Sequence, residues 1–244
     1  MGKERLDILL VEKGMASSRE RAKALIMEGN VLVNGSPITK AGTPVDSKAR
    51  IELRGEEIPY VSRGGLKLEA ALNHFGLSLA GFTAMDVGSS TGGFTDCMLK
   101  RGAAKIYCVD VGYGQLSWSL RNDPRVTLLE RTNIRHLERE KVPDRIDFVT
   151  IDVSFISLRM VIPKVLEFMR EKGEILALVK PQFEVGRAEV GKGGIVRDEA
   201  KRIGAVDAVK QFAEDEGLKT VGVFQSPLQG QKGNIEYFLF LRSE

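Results

Sequence analysis

The sequence predicts an α/β chain in which a mostly parallel sheet with an antiparallel final strand follows a small, separate α/β module. Three observations carry this reading. Apolar runs at 84–87, 106–109, 126–129, 146–151, 175–179 and 220–224 alternate with helical stretches, as in repeated βα units that cover both faces of a sheet. A last apolar run, 235–241, follows 220–224 with no helix between them, so the two should pair antiparallel. The charge is also uneven. Residues 1–54 hold ten Lys/Arg and seven Asp/Glu, so the whole net charge of +3 falls in the first quarter of the chain.

At 244 residues the chain has room for one large domain, or a medium one plus a small one. No apolar run approaches the roughly 18 residues that a membrane span needs. The opening MGKERLDILLVEKG has charges inside its apolar patch, unlike a signal peptide. Cys97 and Cys108, with two histidines, cannot supply a usual zinc site, and no metal is expected. They read as buried thiols of a cytoplasmic protein, with a monomer as the simplest expectation.

Leu6, Leu9, Leu10 and Lys13 share helical spacing that Gly14 stops. Ser17 and Glu20 suit a capping box that opens a second helix through Ile26, closed by Gly29. Val31–Val33 then reads as a strand entering an Asn34-Gly35 turn, and Ile51–Leu53 as another strand. Arg19, Arg21 and Lys23 crowd one helix end, where several can reach one phosphate. Through RLDILLVEKG, SRERAKALIMEG and VLVNG this segment resembles the S-four RNA-binding domain. That resemblance implies two helices on a small sheet, with a basic face for structured RNA. Arg5, Arg19, Arg21, Lys23, Lys40 and Arg63 are the candidate RNA contacts, joined by Arg187 and Lys192 farther on. The module is placed at 1–58, a linker at 59–64 and a second domain at 65–244.

In that second domain Leu68, Ala71, Leu72 and Phe75 mark a helix, and further helices are expected near 95–101, 116–121, 158–170 and 198–216. The stretch AMDVGSSTGGFTDCML reads as a strand, a glycine loop and a helix N-terminus, which suits a nucleotide-like ligand. Its spacing matches neither the dinucleotide nor the P-loop fingerprint. Ligands of such sheets bind beyond the carboxyl ends of the strands. Asp86, Asp110, Asn133 with Ile134, Asp152 and Lys180 fall at five successive ends. Asp110 can accept from two ribose hydroxyls, while Asn133 and Ile134 can flank a base. The glycine-rich run 182–197 has the length of a substrate-covering loop. Phe94, Trp118, Phe155 and Phe183 are candidates to stack on a base, or to fill the core.

This pattern resembles the Rossmann-like S-adenosylmethionine-dependent methyltransferases, and more narrowly the FtsJ-like ribose 2′-O-methyltransferases. The resemblance implies a Lys-Asp-Lys-Glu tetrad, matched by Lys67 in SRGGLKLEAAL, Asp152 in TIDVSFIS, Lys180 in LVKPQFE and Glu236 in GNIEYFLFL. It also implies S-adenosylmethionine as cofactor, on Asp86, Gly88, Ser89, Ser90, Gly92, Gly93, Phe94, Asp110, Asn133 and Ile134. With the S-four-like module, KPQFEVGR and GKGGIVRD, the chain resembles the TlyA family, often labelled hemolysin. The implied reaction is methyl transfer to the 2′-hydroxyl of a nucleotide, a cytidine, in ribosomal RNA. Because the leaving thioether needs no acid, the site must align the hydroxyl and accept its proton, with Lys180 as the candidate base. Two other readings are an RNA-binding ribosome assembly factor with a vestigial site, and a membrane-active hemolysin.

Overall fold

The structure is a computed structural model that describes residues 2–16, 18–27, 29–54, 58–230 and 233–243. The chain divides into two units, Met1–Ser62 and Arg63–Glu244.

In the first unit, strand β1 (Lys3–Arg5) leads into helices α1 (Leu6–Glu12) and α2 (Arg19–Met27). Strands β2 (Val31–Val33), β3 (Ser36–Ile38), β4 (Pro44–Asp46) and β5 (Ile51–Leu53) follow. β2 lies between β3 and β5 in an antiparallel sheet, and β1 pairs with β4. The helical spacing of Leu6, Leu9, Leu10, Ala22, Leu25 and Ile26 brings them together in one buried core with Val31 and Val45. Asn34 and Gly35, at φ of 51° and 80°, make the two-residue hairpin from β2 to β3. The sequence announces this turn but hides the returning strand, because Pro37 breaks its pattern. The capping box expected at Ser17 and Glu20 lies outside the described residues.

The second unit opens with α3 (Gly64–Phe75), β6 (Thr83–Val87), α4 (Gly93–Lys100), β7 (Lys105–Val109), α5 (Trp118–Arg121), β8 (Val126–Leu129) and β9 (Ile146–Ile151). Next come α6 (Ile162–Leu166), β10 (Met169–Val179), α7 (Pro181–Glu184), α8 (Glu199–Asp215), β11 (Leu218–Gln225) and β12 (Tyr237–Ser243). The sheet order is β11-β12-β10-β9-β6-β7-β8. β6 to β10 run parallel, and β12 is antiparallel to both of its neighbours. The central strands are buried along most of their length, which is why they read as mostly apolar runs. The chain proceeds outward from β6 in one direction and then restarts at β9 on its other side. The crevice between those two strand ends is where such sheets hold ligands.

The expected helix over 158–170 is broken in the structure. A 3-10 turn, Leu158–Met160, is followed by the short α6, and β10 already begins at Met169. Pro163 explains the break. It sits in the first turn of α6, where a missing N–H costs nothing, but its ring excludes it from the interior of a longer helix. The final strand also sits inside the sheet, so β11 and not β12 forms the edge.

Candidate active site

Gly88, Ser90 and Gly92 carry φ of 86°, 48° and 94° in the loop after β6. At Gly88 a side chain has no room, since a Cβ would lie 2.5 Å from the carbonyl oxygen of Asp152. The Gly88 N–H donates to Val109 O, and the Asp152 N–H donates to Val87 O, both at 2.8 Å. The glycine therefore seats the end of β6 against the ends of β7 and β9. Asp110 is half-buried there, each carboxylate oxygen accepting one backbone N–H at 2.7 Å, from Ser90 and from Gly112. The Ser89 hydroxyl is buried in the same loop without a hydrogen-bond partner among the described residues. Asn133 caps the 3-10 turn Ile134–His136, its side chain accepting from Arg135 N, and Ile134 is buried.

Asp86 and Phe94, expected beside the cofactor, are both turned inward, Phe94 taking the core place that the sequence also allows. Asp86 is fully buried beneath the loop, accepting from Thr95 Oγ1 at 2.6 Å and from Thr150 Oγ1 at 2.9 Å. Burial pushes its carboxyl up to about 6, against the pull of the two hydroxyls. It acts as a strut joining β6, α4 and β9 and does not face the crevice. Phe94 is buried against Phe238, with ring centroids 6.0 Å apart, because Gly93 already begins α4 and turns its next side chain into the core.

The four expected tetrad residues form two ion pairs. Lys67 of α3 donates from Nζ to Glu236 Oε2 at 2.7 Å, and Lys180 Nζ lies 2.6 Å from Asp152 Oδ1. Lys180 also donates to Ser154 Oγ at 3.1 Å. Strand register brings three of them to one sheet edge. Val179 pairs with Tyr237, so Lys180 and Glu236 are the next residues on adjacent strands, while Asp152 directly follows β9. Both lysine side chains and Glu236 are largely shielded, at 14%, 12% and 3% exposure, against 26% for Asp152. Gly230 forms a wall behind Glu236, since a Cβ there would lie 1.9 Å from the carboxylate.

Around this cluster Phe155 is 90% exposed, holds φ at 64° and rests 5.0 Å from Phe183 between ring centroids. Trp118 is also exposed. The 182–197 run holds the end of α7, a 3-10 turn at Arg187–Glu189 and a small bridge between Gly191 and Ile195. Asn234 fastens it, donating to Gly194 O at 2.9 Å and accepting from Val196 N at 3.2 Å. Sequence reasoning missed Asn234, whose partners Gly194 and Val196 are distant along the chain, and Gly230, which meets Glu236 across a short loop. Lys192 is exposed, and the side chain of Arg187 lies outside the described residues.

In the first unit, Arg5 and Arg19 are half-exposed and converge on buried Asp7, at 3.0 and 2.9 Å. The two guanidinium groups hold the Asp7 carboxyl down to about 2. The stabilisation from this cluster is complete above the ordinary value of 3.8 and is lost as pH falls through about 2. Lys40 is exposed, Lys23 is half-buried, and the side chain of Arg21 lies outside the described residues. Arg63, at the start of the second unit, is exposed. Among the described residues, no group of three His, Cys, Asp or Glu could hold a metal ion, and no helix is long and apolar enough to cross a membrane.

A mostly parallel sheet with an inserted antiparallel strand, and a glycine loop after its central strand, defines the Rossmann-like methyltransferase fold. Residues 60–243 match the FtsJ-like methyltransferase model and residues 4–51 the S4 domain model. The chain is 48% identical over 241 residues to the 16S/23S rRNA (cytidine-2′-O)-methyltransferase TlyA of Mycobacterium tuberculosis, covering 98% of this chain and 90% of that one. It is 42% identical over 234 residues to Hemolysin A of Brachyspira hyodysenteriae, covering 96% and 97%. A solved structure named "Putative hemolysin", from Streptococcus thermophilus, is 44% identical with a TM-score of 0.78, over 100% of this chain and 89% of that one. The chain belongs to the FtsJ-like methyltransferase family, and within it to the TlyA group with an N-terminal S4 domain.

Proposed function

We propose that the protein transfers a methyl group from S-adenosylmethionine to the ribose 2′-hydroxyl of a cytidine in ribosomal RNA. The observation that carries this reading is the pairing of Lys67 with Glu236 and Lys180 with Asp152 beside the glycine loop. The name of the M. tuberculosis relative supports the same substrate. Residues 1–58 would serve as the RNA-binding module and 65–244 as the catalytic domain, joined at 59–64.

The residues present fit the cofactor. Each Asp110 oxygen keeps a lone pair beyond the one its backbone donor uses, so the carboxylate can accept from two vicinal ribose hydroxyls. Ser89 brings a buried hydroxyl without a partner among the described residues, and the backbone of Gly88, Ser90, Gly92 and Gly93 allows close approach. Asn133 and Ile134 would flank the adenine. When bound, the cofactor supplies a methyl group on a sulfonium, whose departure leaves a neutral thioether and needs no acid.

Lys180 then has one task that no other group in the cluster performs. With the cofactor bound, Lys180 Nζ would accept the proton that the 2′-hydroxyl gives up on methylation. Asp152 and Ser154 fix where that nitrogen sits, while Glu236 holds Lys67. Phe155 and Phe183 offer a π-face to a base turned out of its stack.

RNA is the natural substrate class, since of the two nucleic acids only RNA has a 2′-hydroxyl. Arg5 and Arg19, aimed by Asp7, would meet its phosphates. Arg19→Ala is expected to weaken RNA binding and to reduce the slope of log K against log salt by about 1, measured by filter binding across a salt series. The function is tested by transfer of labelled methyl to ribosomal subunits, intact and as naked RNA. Incorporation into either supports the reading. Tight RNA binding without incorporation favours an assembly factor with a vestigial site.

A further inference from the structure

Helix α7 is a single turn, yet it grips the segment after β9 at both ends. At its start, Lys180 reaches Asp152 and Ser154. In its middle, the ring of Phe183 meets that of Phe155. At its end, Glu184 accepts from the Ser157 hydroxyl at 2.6 Å and from the Leu158 backbone N–H at 2.8 Å. Ser157 in turn caps the 3-10 turn by accepting from Arg159 N at 3.2 Å. Nothing in the proposed chemistry uses Glu184, although its side chain is only 2% exposed and Arg159 stands 4.0 Å away, too far for a tight pair.

A carboxylate this well shielded needs a compensating purpose, because desolvation disfavours its charge and raises its titration above the ordinary value. The segment it grips is also under tension. Phe155 adopts a left-handed backbone with its ring almost wholly in solvent, a conformation that persists only where the surroundings over-determine it.

We propose that Glu184 is a positioning residue that clamps the 153–158 segment to α7, so that Phe155 and Ser154 are presented in register with Lys180. The inference rests on the methyltransferase reading above. The clamp works through two hydrogen bonds and not through charge. A glutamine keeps the length, accepts from Leu158 N–H with Oε1 and turns Nε2 to donate to the Ser157 hydroxyl oxygen. An aspartate keeps the charge but is one methylene too short to reach both donors.

The test compares Glu184→Gln with Glu184→Asp in the full-length protein, reading kcat and KM for RNA, cofactor affinity, and hydrogen exchange at the Leu158 amide. Glu184→Asp is expected to lose about 10²-fold in kcat with cofactor affinity unchanged, whereas Glu184→Gln stays within about threefold of the parent. The Leu158 amide is expected to exchange faster in Glu184→Asp and at the parent rate in Glu184→Gln. Ser157→Ala removes one of the two contacts and serves as the readout if Glu184→Asp does not fold, with an expected loss of about tenfold in kcat. Equal damage in Gln and Asp variants, or a fully active Asp variant, would overturn the clamp. If the parent protein methylates no RNA, the functional reading fails, and the exchange contrast at Leu158 still decides the clamp.

Discussion

Lys180→Ala lowers kcat for methyl transfer by about 10³-fold while S-adenosylmethionine still binds with the parent affinity, measured by calorimetry beside a methyl-transfer assay. The separation follows from the geometry. Lys180 pairs with Asp152 and Ser154, whereas Asp110, which would hold the cofactor, is fixed by the backbone N–H groups of Ser90 and Gly112. Asp152 keeps 26% side-chain exposure, so losing the cation of its buried Oδ1 still leaves a partly hydrated carboxylate, and the fold survives. Lys180→Arg sharpens the test. Arginine preserves the ion pair but holds its proton throughout the accessible pH range, so it positions Asp152 without serving as a base. Both variants are expected to be inactive. Full turnover in Lys180→Arg would show that the lysine contributes only its charge.

Gly88→Ala is the second large effect, expected to weaken cofactor binding at least about tenfold and to lower Tm by about 5 °C. Two costs combine at this position. A φ of 86° already disfavours any side chain, by about 1–2 kcal/mol. The new Cβ would also press to 2.5 Å from the backbone carbonyl of Asp152, which is tied into the sheet by its own N–H and cannot retreat. The substitution therefore pushes the glycine loop and Asp152 apart. Gly76→Ala is the control. Gly76 ends α3 at a φ of 65° with nothing within 4 Å, so it carries the conformational cost alone. Thermal unfolding and cofactor titration of both variants separate the backbone strain from the loss of the contact.

What the sequence discloses and what it conceals divide along physical lines. Buried parallel strands need mostly apolar runs, so β6 to β10 are readable, as is the antiparallel last strand, which has no helix before it. The break at Pro163 was readable in principle, since a proline in mid-helix contradicts the periodicity over 158–170. The orientation of single side chains was not. Asp86 and Asp110 both stand near strand ends, yet one is turned inward to Thr95 and Thr150 and the other faces two backbone donors at the crevice. Phe94 and Phe155 are both aromatics near a strand end. The first fills the core because it enters a buried helix, and the second stands in solvent because its backbone is left-handed. Glu184, Asn234 and Gly230 act through contacts with residues far along the chain or across a loop, where no short-range pattern can announce them.

The most direct measurement is the chemical position of the transferred methyl group. Ribosomal RNA methylated by the full-length protein would be digested to nucleosides and resolved by mass and retention. The account predicts 2′-O-methylcytidine from the parent protein and none from Lys180→Ala. A methyl group on a base, or equal 2′-O-methylation by both proteins, would contradict it.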